Sequence, residues 1–164
     1  MFGWKSEMFK SRKSKRTYGL GESMPFREDI DPEHLSFYED NVKFCRDLFN
    51  RLITFGEEIE IHQKECYRAL KPNQLSVCIR IYESEENDVT YCDEPGTRKL
   101  GFITVPMTDT TGGTKREVEV TVHFGGTEIF VSGKDLTTGA DVQAVFFMNY
   151  YYCVIEKIVH YLNK

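Results

Sequence analysis

Several chemistries lack the residues they need in this sequence. No CxxC pair joins any of the five cysteines, Cys45, Cys66, Cys78, Cys92 and Cys153, and their odd number and wide spacing fit neither a zinc site nor a disulfide framework. They read as reduced, mostly buried thiols of an intracellular protein. The four histidines, His34, His62, His123 and His160, form no HxH or HExxH spacing, so no metal site is expected. No GxSxG nucleophile motif occurs, and an enzyme is the minority reading. Gly112, Gly113, Thr114 and Lys115 end like a phosphate loop, but the GxxxxGK[ST] spacing is absent and a strand, not a helix N-terminus, follows. No run approaches the roughly eighteen uncharged apolar residues of a membrane helix. Lys5 and Glu7 interrupt the first apolar residues, which excludes a signal-peptide h-region there.

What is present is enough for a core. At 164 residues the chain is about one domain long, and a compact fold of that size buries roughly 70% of its unfolded surface. An apolar fraction of 40%, with twelve Phe and nine Tyr, argues against a wholly disordered chain. The net charge of −5 conceals an asymmetry. Residues 1–16 carry Lys5, Lys10, Arg12, Lys13, Lys15 and Arg16 against the single acid Glu7, so the remainder is strongly acidic. An acidic body disfavours nucleic acid as a partner, because phosphate binding depends on accumulated positive charge. The basic head reads as a solvated leader or linker, with a localisation or nucleic-acid patch as the rarer meaning of such a cluster.

The stretch Lys115 to Phe147 organises the chain. Val118, Val120, Val122 and Phe124 fall on one parity and Glu117, Glu119, Thr121 and His123 on the other, the period of a strand with one wet face. Gly125 and Gly126 are placed for a tight hairpin with positive φ angles. A second strand carries Ile129 and Val131, a turn spans Asp135 to Asp141, and a third apolar run begins at Val142. Such a meander needs another sheet over its dry face.

Earlier in the chain, Thr17–Ser23 reads as a strand kinked at Gly19 and Gly21, and residues 25–55 as an enlarged loop or insertion. Within it, Asn41–Thr54 fits a short helix and an extended segment equally. Ile59–Ala69, Gln74–Glu83 and Leu100–Val105 alternate as strands, the second with Val77, Ile79 and Ile81 on one face, and Thr108–Thr114 reads as a flexible loop. Seven or so short strands separated by turns predict a mainly β, antiparallel β-sandwich. Val154, Ile155, Ile158, Val159 and Leu162 predict a short C-terminal amphipathic helix over 150–164. The expected domain order is a basic leader at 1–16, the sandwich at 17–149 and that helix.

The ordered elements NQLSVCIRIYES, KLGFITVPM and REVEVTVHFGGTEIFVSGKDLTTGADV, between Tyr67 and Gln143, resemble the peptide-binding β-domain of the seventy-kilodalton heat-shock chaperones. IYESEENDV, the CDEPGTRK turn and FGGTEI are most similar to the divergent heat shock 70 kDa protein 12 branch. The shared frame covers about half the chain and rests on order and spacing, no element being specific alone.

The resemblance implies a groove that holds unfolded or extended polypeptide, lined by Leu20, Tyr67, Leu70, Val77 and Ile79. Ordinary core is the bland alternative for all five. It also implies that ATP enters only through a nucleotide-binding domain, in cis or in trans, for which this chain has neither the glycine loops nor the length. No catalysis by this chain and no cofactor of its own are expected, and the cytoplasm is the expected location, with the nucleus left open by the basic head. The rival reading is a non-catalytic interaction or scaffold module.

Overall fold

A computed structural model describes residues 12–59 and 62–148. The C-terminal helix expected over 150–164, like residues 1–11, lies outside the described residues. Nine strands follow in order: β1 (Thr17–Pro25), β2 (Ser36–Glu39), β3 (Val42–Ile53), β4 (His62–Arg68), β5 (Ser76–Ser84), β6 (Thr97–Pro106), β7 (Glu117–Phe124), β8 (Glu128–Asp135) and β9 (Asp141–Phe147). They form two antiparallel sheets, one ordered β2-β3-β1-β5-β6 and the other β4-β7-β8-β9. The architecture is a β-sandwich.

Period-two alternation builds the core between the sheets. Leu20, Val77, Ile79, Ile81, Ile103 and Val105 from one sheet meet Val118, Val120, Val122, Ile129, Val131 and Phe146 from the other. Leu100 has the wrong parity to face inward, yet it is buried. A bulge in the β5–β6 ladder, where Ile81 pairs with Gly101 but Tyr82 with Lys99, turns it into the core. Tyr82, expected on the polar parity, is buried instead with Phe49, Val89 and Cys92 in a second cluster. Burial pushes the Cys92 thiol up to about 12, so it is a packed, unreactive sulfur.

The equal odds at Asn41–Thr54 resolve to a strand. β3 has twelve residues and pairs with β1 along most of its length, so residues 25–55 contribute two strands and not only a loop. Asp47 interrupts β3 with φ +59, and around it Cys92 N–H donates to the Asp47 carbonyl at 2.7 Å and Phe49 N–H to Thr90 O at 2.8 Å. The loop after β5 thus takes hydrogen bonds that β1 does not supply. Asp31 ties the same region together. Arg27 holds it through its guanidinium and its backbone N–H, and Tyr91 donates to it at 2.9 Å. Those bonds, the Arg27 side chain foremost, lower the Asp31 carboxyl to about 2.

Two further readings are corrected. Residues 12–16 are not a free linker, because Ser14 N–H donates to Glu57 O, Ile59 N–H donates to Arg12 O, and Arg16 pairs with Glu85. Gly125 and Gly126 do not use positive φ. The hairpin closes through Gly125 N–H to Glu128 O at 2.8 Å, and Gly125 is constrained by close approach, since a Cβ there would lie 3.2 Å from that carbonyl. Where positive φ is used is the Asp135–Asp141 turn, at Gly139 with φ +78. Buried Asp135 accepts bonds there from Thr137 N–H, Thr138 N–H and the Thr138 hydroxyl.

At two points a glycine leaves the room that a side chain of the facing sheet fills. A Cβ on Gly101 would collide with the Phe146 ring, and one on Gly133 with Val105. Gly101→Ala is therefore expected to destabilise the fold by about 1–3 kcal/mol through overpacking, read as a lower urea midpoint. An unchanged midpoint would show that the Phe146 ring yields freely.

Candidate functional site: a cleft between β1 and the β4–β5 arch

β1 pairs with β5 for five residues, from Thr17 opposite Ser84 to Gly21 opposite Arg80. Beyond that point β1 stays with β3, through Met24 opposite Cys45, and β5 continues from Ile79 down to Ser76 with only β6 beside it. The divergence opens a cleft of about 180 Å3 lined by residues of β1, the end of β4, the loop after it and β5. At roughly 30 Å3 per water it holds about six waters' worth of space, enough for a medium apolar side chain.

Four of the five residues implied by the family resemblance line this cleft: Tyr67, Leu70, Val77 and Ile79. Their accessibility differs. Tyr67 and Leu70 are half-buried walls, whereas Val77 (9% exposed) and Ile79 (2%) are floor residues that also belong to the core. Leu20 does not reach the cleft. It is fully buried in the core (0%), because its parity in β1 points between the sheets.

The arch between β4 and β5 is held by two polar residues. Gln74 accepts the Leu70 N–H on Oε1 at 2.7 Å and donates Nε2 to Ser76 O at 2.8 Å, closing the loop on itself. Arg116 is buried, and its guanidinium donates to five carbonyls, those of Pro72, Gln74, Met107, Asp109 and Gly113, at 2.8–3.3 Å. It therefore fastens the arch to the loop that precedes β7, which is pinned and not the flexible segment its composition implies. Gln74 carries a sequence signal, the NQ ahead of an alternating strand. Arg116 carries none, since an arginine opening a strand looks like a solvated residue.

Polar groups at the cleft are desolvated. Burial raises the Glu22 carboxyl above its ordinary value and nearby Glu65 raises it further, against a hydrogen bond from Asn50. Burial likewise raises the Tyr67 phenol, whose oxygen accepts the Asn50 Nδ2–H at 3.4 Å. The basic residues are matched, Arg80 to Asp47 at 2.6 Å and Arg68 to Glu117 at 2.9 Å. Above the arch, Lys71 meets Glu39 at 2.8 Å. That ion pair joins the β2–β3 hairpin to the arch, beside a second hollow that shares Leu70 and Gln74 with the first.

No group of three or more metal-binding side chains occurs among the described residues. No helix of the described residues is long and apolar enough to cross a membrane.

The chain is a two-layer antiparallel sandwich with a cleft at the diverging end of one sheet, and its sequence is similar to members of the seventy-kilodalton heat-shock family. The chain is 32% identical over 157 residues to mouse heat shock 70 kDa protein 12A and 31% over 156 to the human protein, each alignment taking in 92% of this chain. It is 27% identical over 154 residues to human heat shock 70 kDa protein 12B. The chain is related to the heat shock 70 kDa protein 12 branch of that family, and it spans only 23% of the length of the 12A proteins. No family model matches the sequence.

The raised Glu22 carboxyl fixes a pH dependence. A carboxyl whose folded value lies above its unfolded one favours the fold fully below the unfolded value, near 4.5, and loses that contribution as pH rises through the folded value. Glu22→Gln should therefore melt higher than wild type at neutral pH and lose the difference below the unfolded carboxyl value. A difference that persists in acid would assign the effect to packing.

Proposed function

We propose that the cleft binds an extended, apolar segment of polypeptide, as a chaperone-type substrate-binding domain. The observation that supports this most is the course of β5 from Ser76 to Ile79, which has a strand on one side only, next to a hollow walled by Tyr67 and Leu70. An extended guest can lie along such an edge, with main-chain contacts giving affinity that ignores sequence and the hollow selecting one apolar side chain. The kinship with the heat shock 70 kDa protein 12 proteins supports the same reading. The acids Glu22 and Glu65 favour basic residues flanking the apolar one.

Binding of this kind needs no reacting residue. ATP-driven release belongs to a nucleotide-binding domain of the family, acting in cis or in trans. In this reading the protein works on unfolded clients in the cytoplasm under stress.

Fluorescence anisotropy against a panel of unrelated apolar peptides tests the reading. Broad, weak binding is expected, reduced at least about tenfold by Leu70→Asp, since the apolar contact with the guest is lost and a carboxylate would have to be desolvated on binding. Leu70 is half-buried at the rim, so the variant is expected to fold. Silence across the panel would favour a scaffold module that docks one folded partner.

The Glu39–Lys71 ion pair borders the second hollow and ties the arch that walls the cleft to the β2–β3 hairpin, acting as a latch on that arch. Partly exposed pairs are weak, so Lys71→Ala is expected to raise peptide association and dissociation rates together, by roughly twofold to fivefold, with little change in affinity. Stopped-flow measurement separates this from a change in affinity alone, which would assign Lys71 to the peptide contact instead.

A further inference from the structure

The outer face of the four-stranded sheet carries a pair of imidazoles that the cleft does not use. His62 of β4 and His123 of β7 stand directly opposite each other in the antiparallel ladder. Their Nδ1 atoms are 3.2 Å apart and their ring centroids 4.5 Å apart, with the planes inclined at 61°. Phe130, the cross-strand neighbour of His123 on β8, meets the His123 ring edge-on at 5.7 Å and fixes one side of it. The pair borders an open hollow of about 300 Å3 whose rim includes Thr121, Ser132 and Gln143.

We propose that His62 and His123 form a bidentate site for a borderline divalent transition-metal ion, of the class of zinc, nickel or copper. Imidazole nitrogens bind such ions at about 2.0–2.1 Å, and two nitrogens 3.2 Å apart at that bond length subtend about 100–106° at the metal. That angle lies between the octahedral and tetrahedral values, so the spacing of the two nitrogens suits one shared ion, and each ring needs only to turn until its Nδ1 lone pair leaves the line between the nitrogens and meets the metal. In the metal-free pair one Nδ1 donates its proton to the other. A shift of that proton to Nε2 of the same ring leaves both Nδ1 lone pairs free for the ion, and the proton stays on the ring. Two strands of one ladder hold the chelate, so the second ligand is already in place once the first has bound.

The surroundings admit an ion. His62 is exposed and His123 half-buried, and the nearest lysine on the same face, Lys64, is engaged by Glu119 at 3.2 Å. With no third His, Cys, Asp or Glu grouped with the pair among the described residues, the remaining coordination positions open to water.

The test is calorimetric titration of the tag-free 164-residue chain with zinc, nickel and copper salts near neutral pH. One ion per chain is expected, with affinity weakened roughly tenfold or more in His62→Gln and in His123→Gln and unchanged in His34→Gln. Binding that survives in the double variant, through His34 or His160, overturns the proposal, as does the absence of saturable binding to the wild-type chain. A second readout does not depend on the variants folding. Substoichiometric copper should broaden the nuclear magnetic resonance signals of His62, Thr121, His123 and Phe130 before all others, and broadening that begins elsewhere overturns the site.

Discussion

The course of β1 decides what this sandwich can do. Five of its residues belong to the β5 ladder, and the rest follow β3 alone. Had β1 stayed paired with β5 to its end, the backbone from Ile79 to Ser76 would have been covered and no hollow would separate Glu22 from Leu70. The departure is possible because β3 is long enough to accompany β1 outward and because the 26–48 region carries its own apolar cluster, Leu35, Cys45 and Leu48. Without that second support, a strand leaving a sheet would forfeit its hydrogen bonds to water and fray.

The opposite wall is maintained by polar rather than apolar contacts. Gln74 closes the arch internally, and the buried Arg116 guanidinium anchors it to the loop before β7. A guanidinium has five donors in a rigid fork, which suits it to satisfy converging carbonyls where no carboxylate is at hand. The cleft is thus framed by an outgoing strand on one side and a stapled loop on the other, with the core residues Val77 and Ile79 beneath. Its floor is rigid because it is the core. Its half-buried wall at Leu70, on the arch that the Glu39–Lys71 pair ties to the β2–β3 hairpin, is the part able to adjust.

Alternation made the strands legible, since a residue facing another sheet and one facing water differ in kind every second position. It located β5, β7, β8 and β9 with their inward sets, and hence the sandwich. It failed where neighbours and not parity set burial: at Tyr82, covered by Phe49 and Val89, and at Leu100, turned inward by a bulge. It left Asn41–Thr54 undecided, because the apolar residues of β3 face different clusters along its length and imitate helical spacing. The family resemblance implies a groove position for Leu20, and only the packing of β1 between the sheets shows it to be core.

The sequence by itself determined the class of fold and the kinship, because both reside in the order of short-range patterns: strand, turn, strand, with LG and NQ where close packing and an arch require them. Only the tertiary structure decided the site. A cleft is a gap between residues distant along the chain, and no local pattern records that β1 abandons β5 at Gly21, that Arg116 reaches back to Pro72, or that His62 and His123 face each other across a ladder.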